Sequence, residues 1–181
     1  MKIRLASPLQ PDSIVDGKGI RAVIWTQGCI HNCLGCHNPE THDPNGGMEY
    51  DTNEIKKQLK ELTFEDGITL SGGDPFNQVD ACLDIAKYAR TIGLSVWCYT
   101  GFTFEQLLKM ANMKSNIMEF LNYIDVLVDG KFEVNKKSFE CKWRGSTNQR
   151  LIDVYKSLKF KKTVLYETEK KPVAKKQIVY I

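Results

Sequence analysis

Three thiols fall within eight residues, in Gly28-Cys29-Ile30-His31-Asn32-Cys33-Leu34-Gly35-Cys36-His37-Asn38, with the spacing C-x3-C-x2-C. Thiolates this close can turn toward one inorganic centre, and soft sulfur selects zinc or iron–sulfur clusters over magnesium or calcium. Three is the informative number. A [4Fe–4S] cluster normally takes four cysteines, so three leave one iron without a protein ligand and open to a substrate. Zinc is the competing occupant, because His31, His37 or His42 would complete a tetrahedral Cys3His set. Zinc sites commonly use paired C-x2-C knuckles, however, and no second knuckle lies near this one. That favours iron and sulfur. Of the other cysteines, Cys82 on an apolar helical face and Cys98 inside a strand read as small buried hydrophobes. Cys141, alone in a polar loop, does not make a second cluster.

The second chemical feature is Ser71-Gly72-Gly73-Asp74-Pro75. Two glycines remove Cβ atoms and let backbone approach a ligand, and Asp74 can accept a hydrogen bond from an ammonium group. The same five residues also describe a tight turn between a strand and a helix.

These motifs must be positioned by regular elements. Arg21 to Gln27 is β-branched and aromatic enough for a buried strand, and it ends just before the cysteine loop. Asp51 with Glu54 resembles a capping box, and Ile55, Leu59 and Leu62 follow on one helical face. Gly67 to Leu70 is a strand leading into the Gly-Gly turn. Val79, Cys82, Leu83, Ala86 and Ala89 mark a helix closed by Gly93, and Leu94 to Tyr99 a third strand. Phe104 to Met113 and the face Ile117, Phe120, Leu121 and Ile124 are helical, and Ile124 to Val128 is a fourth strand. Strand and helix alternate, so the class is α/β with a mainly parallel sheet of about five or six strands. That is enough to curl into a partial barrel and too little for a complete one of roughly 250 residues.

With 181 residues, 42% apolar, 26% charged and a net charge of +3, the chain has the composition of a globular domain, neither disordered nor a highly charged nucleic-acid wrapper. No apolar run approaches the roughly 18 residues of a membrane span, and Met1 to Ser13 has no continuous apolar core of a signal peptide. The expected location is the cytoplasm, where clustered cysteines favour metal or redox chemistry over disulfides. Residues 156–176 hold eight lysines against Glu167 and Glu169. The expectation is a domain over 1–166 and a basic tail over 167–181 that adds a lysine-blunted edge strand. An acidic partner surface is the alternative use of that charge.

Taken together, the motifs resemble the radical S-adenosylmethionine (SAM) superfamily and, within it, the glycyl-radical activating enzymes, above all those that serve anaerobic ribonucleoside-triphosphate reductases. The resemblance is carried by Asp16-Gly17-Lys18-Gly19-Ile20-Arg21, Gly28 to Glu40, Leu70 to Pro75, Tyr99-Thr100-Gly101-Phe102, Asp125 to Phe132 and Trp143 to Arg150. It implies a compact partial (β/α) barrel of the radical SAM type. It also implies a [4Fe–4S] cluster on Cys29, Cys33 and Cys36 as the catalytic and metal centre, with SAM chelating the open iron. Gly72, Gly73 and Asp74 would receive the amino group of SAM, with Gly73 the backbone contact. Gly35, Cys36 and His37 would approach the adenine. The superfamily often has an aromatic residue just before the third cysteine, where this chain has Gly35, so His37 is expected to stack on the base instead. Lys18 stands where related activases commonly have proline. The implied partners are the large subunit of the reductase, as protein substrate, and a reduced flavodoxin or ferredoxin-type electron donor. Other readings are an activase for another glycyl-radical enzyme, such as pyruvate formate-lyase, and a non-enzymatic zinc module. His31 and His42 read as solvent-facing loop residues or as donors in the outer shell. Arg144 and Arg150 read as reductase contacts or as structural ion pairs.

Overall fold

The structure, a computed structural model, describes residues 1–168. All but the first two residues of the expected tail strand lie outside the described residues. In chain order the elements are β1 (Lys2–Leu5), β2 (Gln10–Ser13), β3 (Arg21–Thr26), β4 (Met48–Asp51), α1 (Thr52–Glu61), β5 (Gly67–Gly72), α2 (Val79–Thr91), β6 (Ser95–Tyr99), α3 (Phe104–Ala111), α4 (Ser115–Tyr123), β7 (Val126–Asp129), β8 (Arg150–Asp153) and α5 (Val154–Phe160). The sheet runs β4-β1-β3-β5-β6-β7-β8, with β2 paired to β3 off this path. Its centre, β3-β5-β6-β7, is parallel, and β1, β2, β4 and β8 are antiparallel additions.

The four central strands and the helices α1 to α4 fall where the hydrophobic periodicity places them. The eight strands among the described residues correct the expected five or six. The additional ones are short; β2 and β4, with the sequences QPDS and MEYD, lack the apolar alternation that marks a strand in isolation. The cap of α1 also differs in detail, because Asp51 accepts from the Asn53 amide at 2.9 Å. A true capping box closes α3, where Thr103 and Gln106 exchange bonds.

Side chains alternate across each strand, and here the alternation separates two environments. Ala22, Ile24, Ile68, Leu70, Val96, Cys98, Leu127 and Ile152 face the helices and join Ile55, Leu59, Ile85, Leu107 and Phe120 in the main core. Each buried Val, Leu, Ile or Phe among them contributes about 1.5–3 kcal/mol. The opposite parity supplies a second apolar cluster, Trp97, Val126, Val128 and Leu151, with Tyr99 and Trp143 packed against it. Arg21 is fully buried on this second side. Its guanidinium bonds Thr69 Oγ1 at 3.2 Å, Ser95 Oγ at 2.6 Å and the carbonyls of Ile68 and Ser95, and lies 5.7 Å from the Trp97 ring. Burial pulls its pKa down to about 10. One charged side chain thereby ties together the starts of β3, β5 and β6, leaving their C-terminal ends to the site. No helix among the described residues is long and apolar enough to cross a membrane.

Candidate active site

The C-terminal ends of parallel strands are where α/β folds gather ligand-binding loops. Here the ends of β3, β5, β6 and β7 surround a cavity of about 260 Å³. From beyond β3 come Cys29, His31, Cys33, Cys36 and His37; from β5, Ser71, Gly72 and Gly73; from β6, Tyr99, Thr100 and Gly101; from beyond β7, Gly130 and Phe132; and from the loop before β8, Gly145 and Gln149. Of the residues expected at the site, Cys29, Cys33, Cys36, His37, Gly72 and Gly73 share this cavity. Gly35 and Asp74 do not line it.

Backbone bonds fasten the Gly-Gly turn to the end of β3. The Gly73 amide donates to Thr26 O at 2.7 Å and the Asp74 amide to Gly28 O at 2.9 Å, with Asn77 Nδ2 also on Gly28 O at 3.1 Å. A Cβ on Gly73 would collide with the Gly28 carbonyl. The glycine is therefore required by the approach of two backbones.

Asp74 is wholly buried beneath the turn. Its carboxylate accepts from the Phe76 amide at 2.9 Å, the Thr100 hydroxyl at 2.9 and 3.1 Å, the Gly101 amide at 3.0 Å and His31 Nε2 at 2.7 Å. His31, one alternative for which was solvent, instead has a side chain only 6% exposed. Its ring meets Phe102 edge-on at 4.5 Å. The signal available in the sequence was Tyr99-Thr100-Gly101-Phe102, whose backbone and side chains supply half of this network. His42 Nε2 is buried without a hydrogen-bond partner, and the His42 carbonyl accepts from the Cys29 amide at 3.1 Å.

The departure at Gly35 has a local cause. Gly35 sits at φ +73°, where side chains are strained, and a Cβ there would lie 3.2 Å from Val134 Cγ2. An aromatic residue at this position would meet the loop after β7. His37 contacts that loop, with its ring 4.7 Å from Phe132 and tilted 48°. Gly145 closes against both, since a Cβ there would lie 2.9 Å from His37 Cε1 and 3.0 Å from Phe132 Cδ2. Gly145 is held by Gln149, whose Oε1 accepts from the Gly145 amide at 2.9 Å and whose Nε2 donates to Gly130 O at 3.0 Å. The Trp143 to Arg150 segment thus braces the cysteine loop from outside.

Arg150 is a structural ion pair. It bonds Asp129 through Nε at 3.0 Å and Glu105 at 2.7 and 3.1 Å. Arg144 Nη1 donates to Gln149 O at 2.9 Å. Lys18 is exposed, and nothing in the structure explains its replacement of proline.

The donor set suits an iron–sulfur cluster. Among the described residues no three His, Cys, Asp or Glu side chains converge on a point as the ligands of one ion do. A cubic cluster asks for a different arrangement, because each thiolate takes a different corner and the donors stand around it. Cys29, Cys33 and Cys36 are each half-exposed and line the same cavity. His31 is committed to Asp74, and His42 does not line the cavity. Burial pushes the Cys29 thiol above its usual pKa, partly offset by the His31 and Asn32 amides. Ligation requires the thiolate, so binding would couple to proton release.

The profile of the 4Fe–4S single cluster domain family matches residues 15–152. The anaerobic ribonucleoside-triphosphate reductase-activating protein of enterobacteria phage T4 is 34% identical over 150 residues, covering 79% of this chain and 90% of its own. Proteins of the same name from Pasteurella multocida and Escherichia coli K12 are each 34% identical, over 149 and 148 residues, covering 77% of this chain and 90% and 92% of theirs. The solved structure of QueE from Escherichia coli overlaps 57% of this chain and 54% of its own, with a TM-score of 0.45 and 15% identity. A three-thiol cavity at the ends of parallel strands, a 4Fe–4S domain match over most of the chain and relatives matched over nine-tenths of their length lead to one conclusion: the chain belongs to the family of anaerobic ribonucleoside-triphosphate reductase-activating proteins.

Proposed function

We propose that the protein is a radical SAM activating enzyme that generates the glycyl radical on the anaerobic ribonucleoside-triphosphate reductase. The observation that carries this reading is the meeting of Cys29, Cys33, Cys36 and the Gly72-Gly73 turn around one cavity, in a chain of this family. Cys29, Cys33 and Cys36 would hold a [4Fe–4S] cluster, leaving one iron for SAM. With one electron from a reduced flavodoxin or ferredoxin-type donor, the bound group supplies reductive cleavage of the SAM carbon–sulfur bond, giving methionine and a 5′-deoxyadenosyl radical. That chemistry would serve to remove a hydrogen atom from the Cα of a reductase glycine, leaving 5′-deoxyadenosine and the glycyl radical.

The chain's own residues bind, orient and enclose. Gly72 and Gly73 present backbone to the amino group of SAM, with Asp74 supporting them. His37, backed by Phe132 and Gly145, offers its other face to the adenine, and Gly35 lets the loop between Cys33 and Cys36 pack against Val134. Tyr99 closes the inner side, its hydroxyl donating to Trp143 O at 2.8 Å.

We read the sheet as a partial barrel whose second apolar side, around Trp97 and Val128, is the interior. A larger groove of about 650 Å³ adjoins the cavity and shares Asp16, His37, Tyr99 and Gly145 with it. Ile14, Val15 and Phe139 line this groove at 72%, 71% and 94% exposure, beside Lys137 and Arg144. An extended polypeptide with apolar side chains and acidic neighbours suits it. The reductase would supply the missing wall. Anaerobic reconstitution tests the chemistry: the protein should turn brown with four irons and acid-labile sulfide and cleave SAM when reduced, and Cys29→Ala, Cys33→Ala or Cys36→Ala should abolish cleavage. A colourless protein holding one zinc would contradict the reading.

A further inference from the structure

We propose that His31 is a positioning residue, whose bond to Asp74 locks the cysteine loop against the Gly72-Gly73 turn and so fixes the spacing between cluster ligands and SAM-binding backbone. This rests on the role proposed above for that turn. His31 leaves the loop two residues after Cys29 and lines the cavity, and its nearly buried side chain reaches across to Asp74 Oδ2 at 2.7 Å. It is held there by the edge-on Phe102 ring and by Gly101, whose backbone lies so close that a Cβ would strike the imidazole.

Asp74 has no capacity left for a ligand. A carboxylate offers about four acceptor sites, and four donors occupy them: the Phe76 and Gly101 amides, the Thr100 hydroxyl and His31 Nε2. Its side chain is 1% exposed and does not line the cavity. Asp74 therefore acts on a SAM ammonium only through what it holds. Three of its donors keep the turn and the β6 loop in place; the fourth is the only one from the cysteine loop.

The test is a double-mutant cycle on cluster-loaded protein, with SAM affinity measured by anaerobic calorimetry and by the change SAM makes in the reduced cluster's paramagnetic resonance signal. His31→Ala is expected to keep its iron and sulfide but bind SAM about tenfold more weakly, the usual scale for loss of an outer-shell partner. Asp74→Asn, which also disturbs the Phe76, Thr100 and Gly101 bonds, should lose at least that factor, and adding His31→Ala to it should cost nothing further, because the link between them is already broken. His31→Gln, which keeps an N–H near the position of Nε2, should restore most of the affinity. In the cluster-free protein, hydrogen exchange over residues 28–36 and 72–76 should rise in His31→Ala and fall back in His31→Gln. Wild-type affinity in His31→Ala, or losses that add in the double variant, would overturn the proposal. Failure of loaded wild-type protein to bind SAM would instead sink the functional reading, and the exchange comparison would still decide whether His31 locks the loop. The exchange comparison and His31→Gln also decide the matter if His31→Ala loses its cluster.

Discussion

Cys29, Cys33 and Cys36 are set apart from the other cysteines by their surroundings. They are half-exposed around a shared cavity, whereas Cys82 and Cys98 are fully buried in the main core, where burial pushes both thiols far above the usual range and keeps them inert. Cys82→Ala and Cys98→Ala should therefore retain full iron and sulfide content while lowering stability by about 1 kcal/mol, the scale of a small buried truncation; iron loss in either at unchanged folding would contradict the ligand assignment. The burial of Cys82 and Cys98 was legible because periodicity reports burial, and the grouping of the other three because they lie close together in the chain. The histidines were not separable in that way. His31 and His42 lie in the same polar context, and only the approach of the β6 loop makes one of them a partner of Asp74. Arg150 was equally ambiguous until Asp129 and Glu105, 21 and 45 residues away, came within bonding distance.

Among the elements, the parallel centre follows from alternation that each strand carries by itself. The antiparallel additions do not. β4 is a strand because four of its residues pair with β1, and β8 because all four pair with β7; neither has enough apolar pattern to declare itself. The junction of β8, α3 and β7 is nevertheless where a pH effect belongs. Hydrogen bonding to Arg150 pulls the Glu105 carboxyl down to about 2 from an ordinary 4.5. A depressed folded pKa stabilises above the unfolded value, so this contribution is complete above about pH 4.5 and vanishes as the pH falls toward 2. Glu105 is 49% exposed, so screening limits the effect to about 0.5–1 kcal/mol. Urea unfolding at pH 6 should show wild type more stable than Glu105→Gln by that amount, and the gap should close by pH 2.5. A gap that stays constant would mean the ion pair contributes nothing.

At the scale of the whole molecule, the chain gathers the cysteine loop and the Gly-Gly turn around a cavity of about 260 Å³ and leaves a groove of about 650 Å³ beside it. If the groove receives the reductase, Val15→Glu and Phe139→Ala should leave SAM cleavage without reductase unchanged and require roughly tenfold more reductase for half-maximal radical formation, the loss of one or two interface anchors. Equal impairment of both activities would place these residues in the cavity itself. The most direct test of the central claim is anaerobic incubation of the cluster-loaded protein with SAM, a one-electron reductant and the anaerobic reductase, read by electron paramagnetic resonance. A glycyl radical signal on the reductase is predicted, absent when this protein or SAM is omitted or when Cys33→Ala replaces wild type. SAM cleavage with no radical on the reductase would contradict the account.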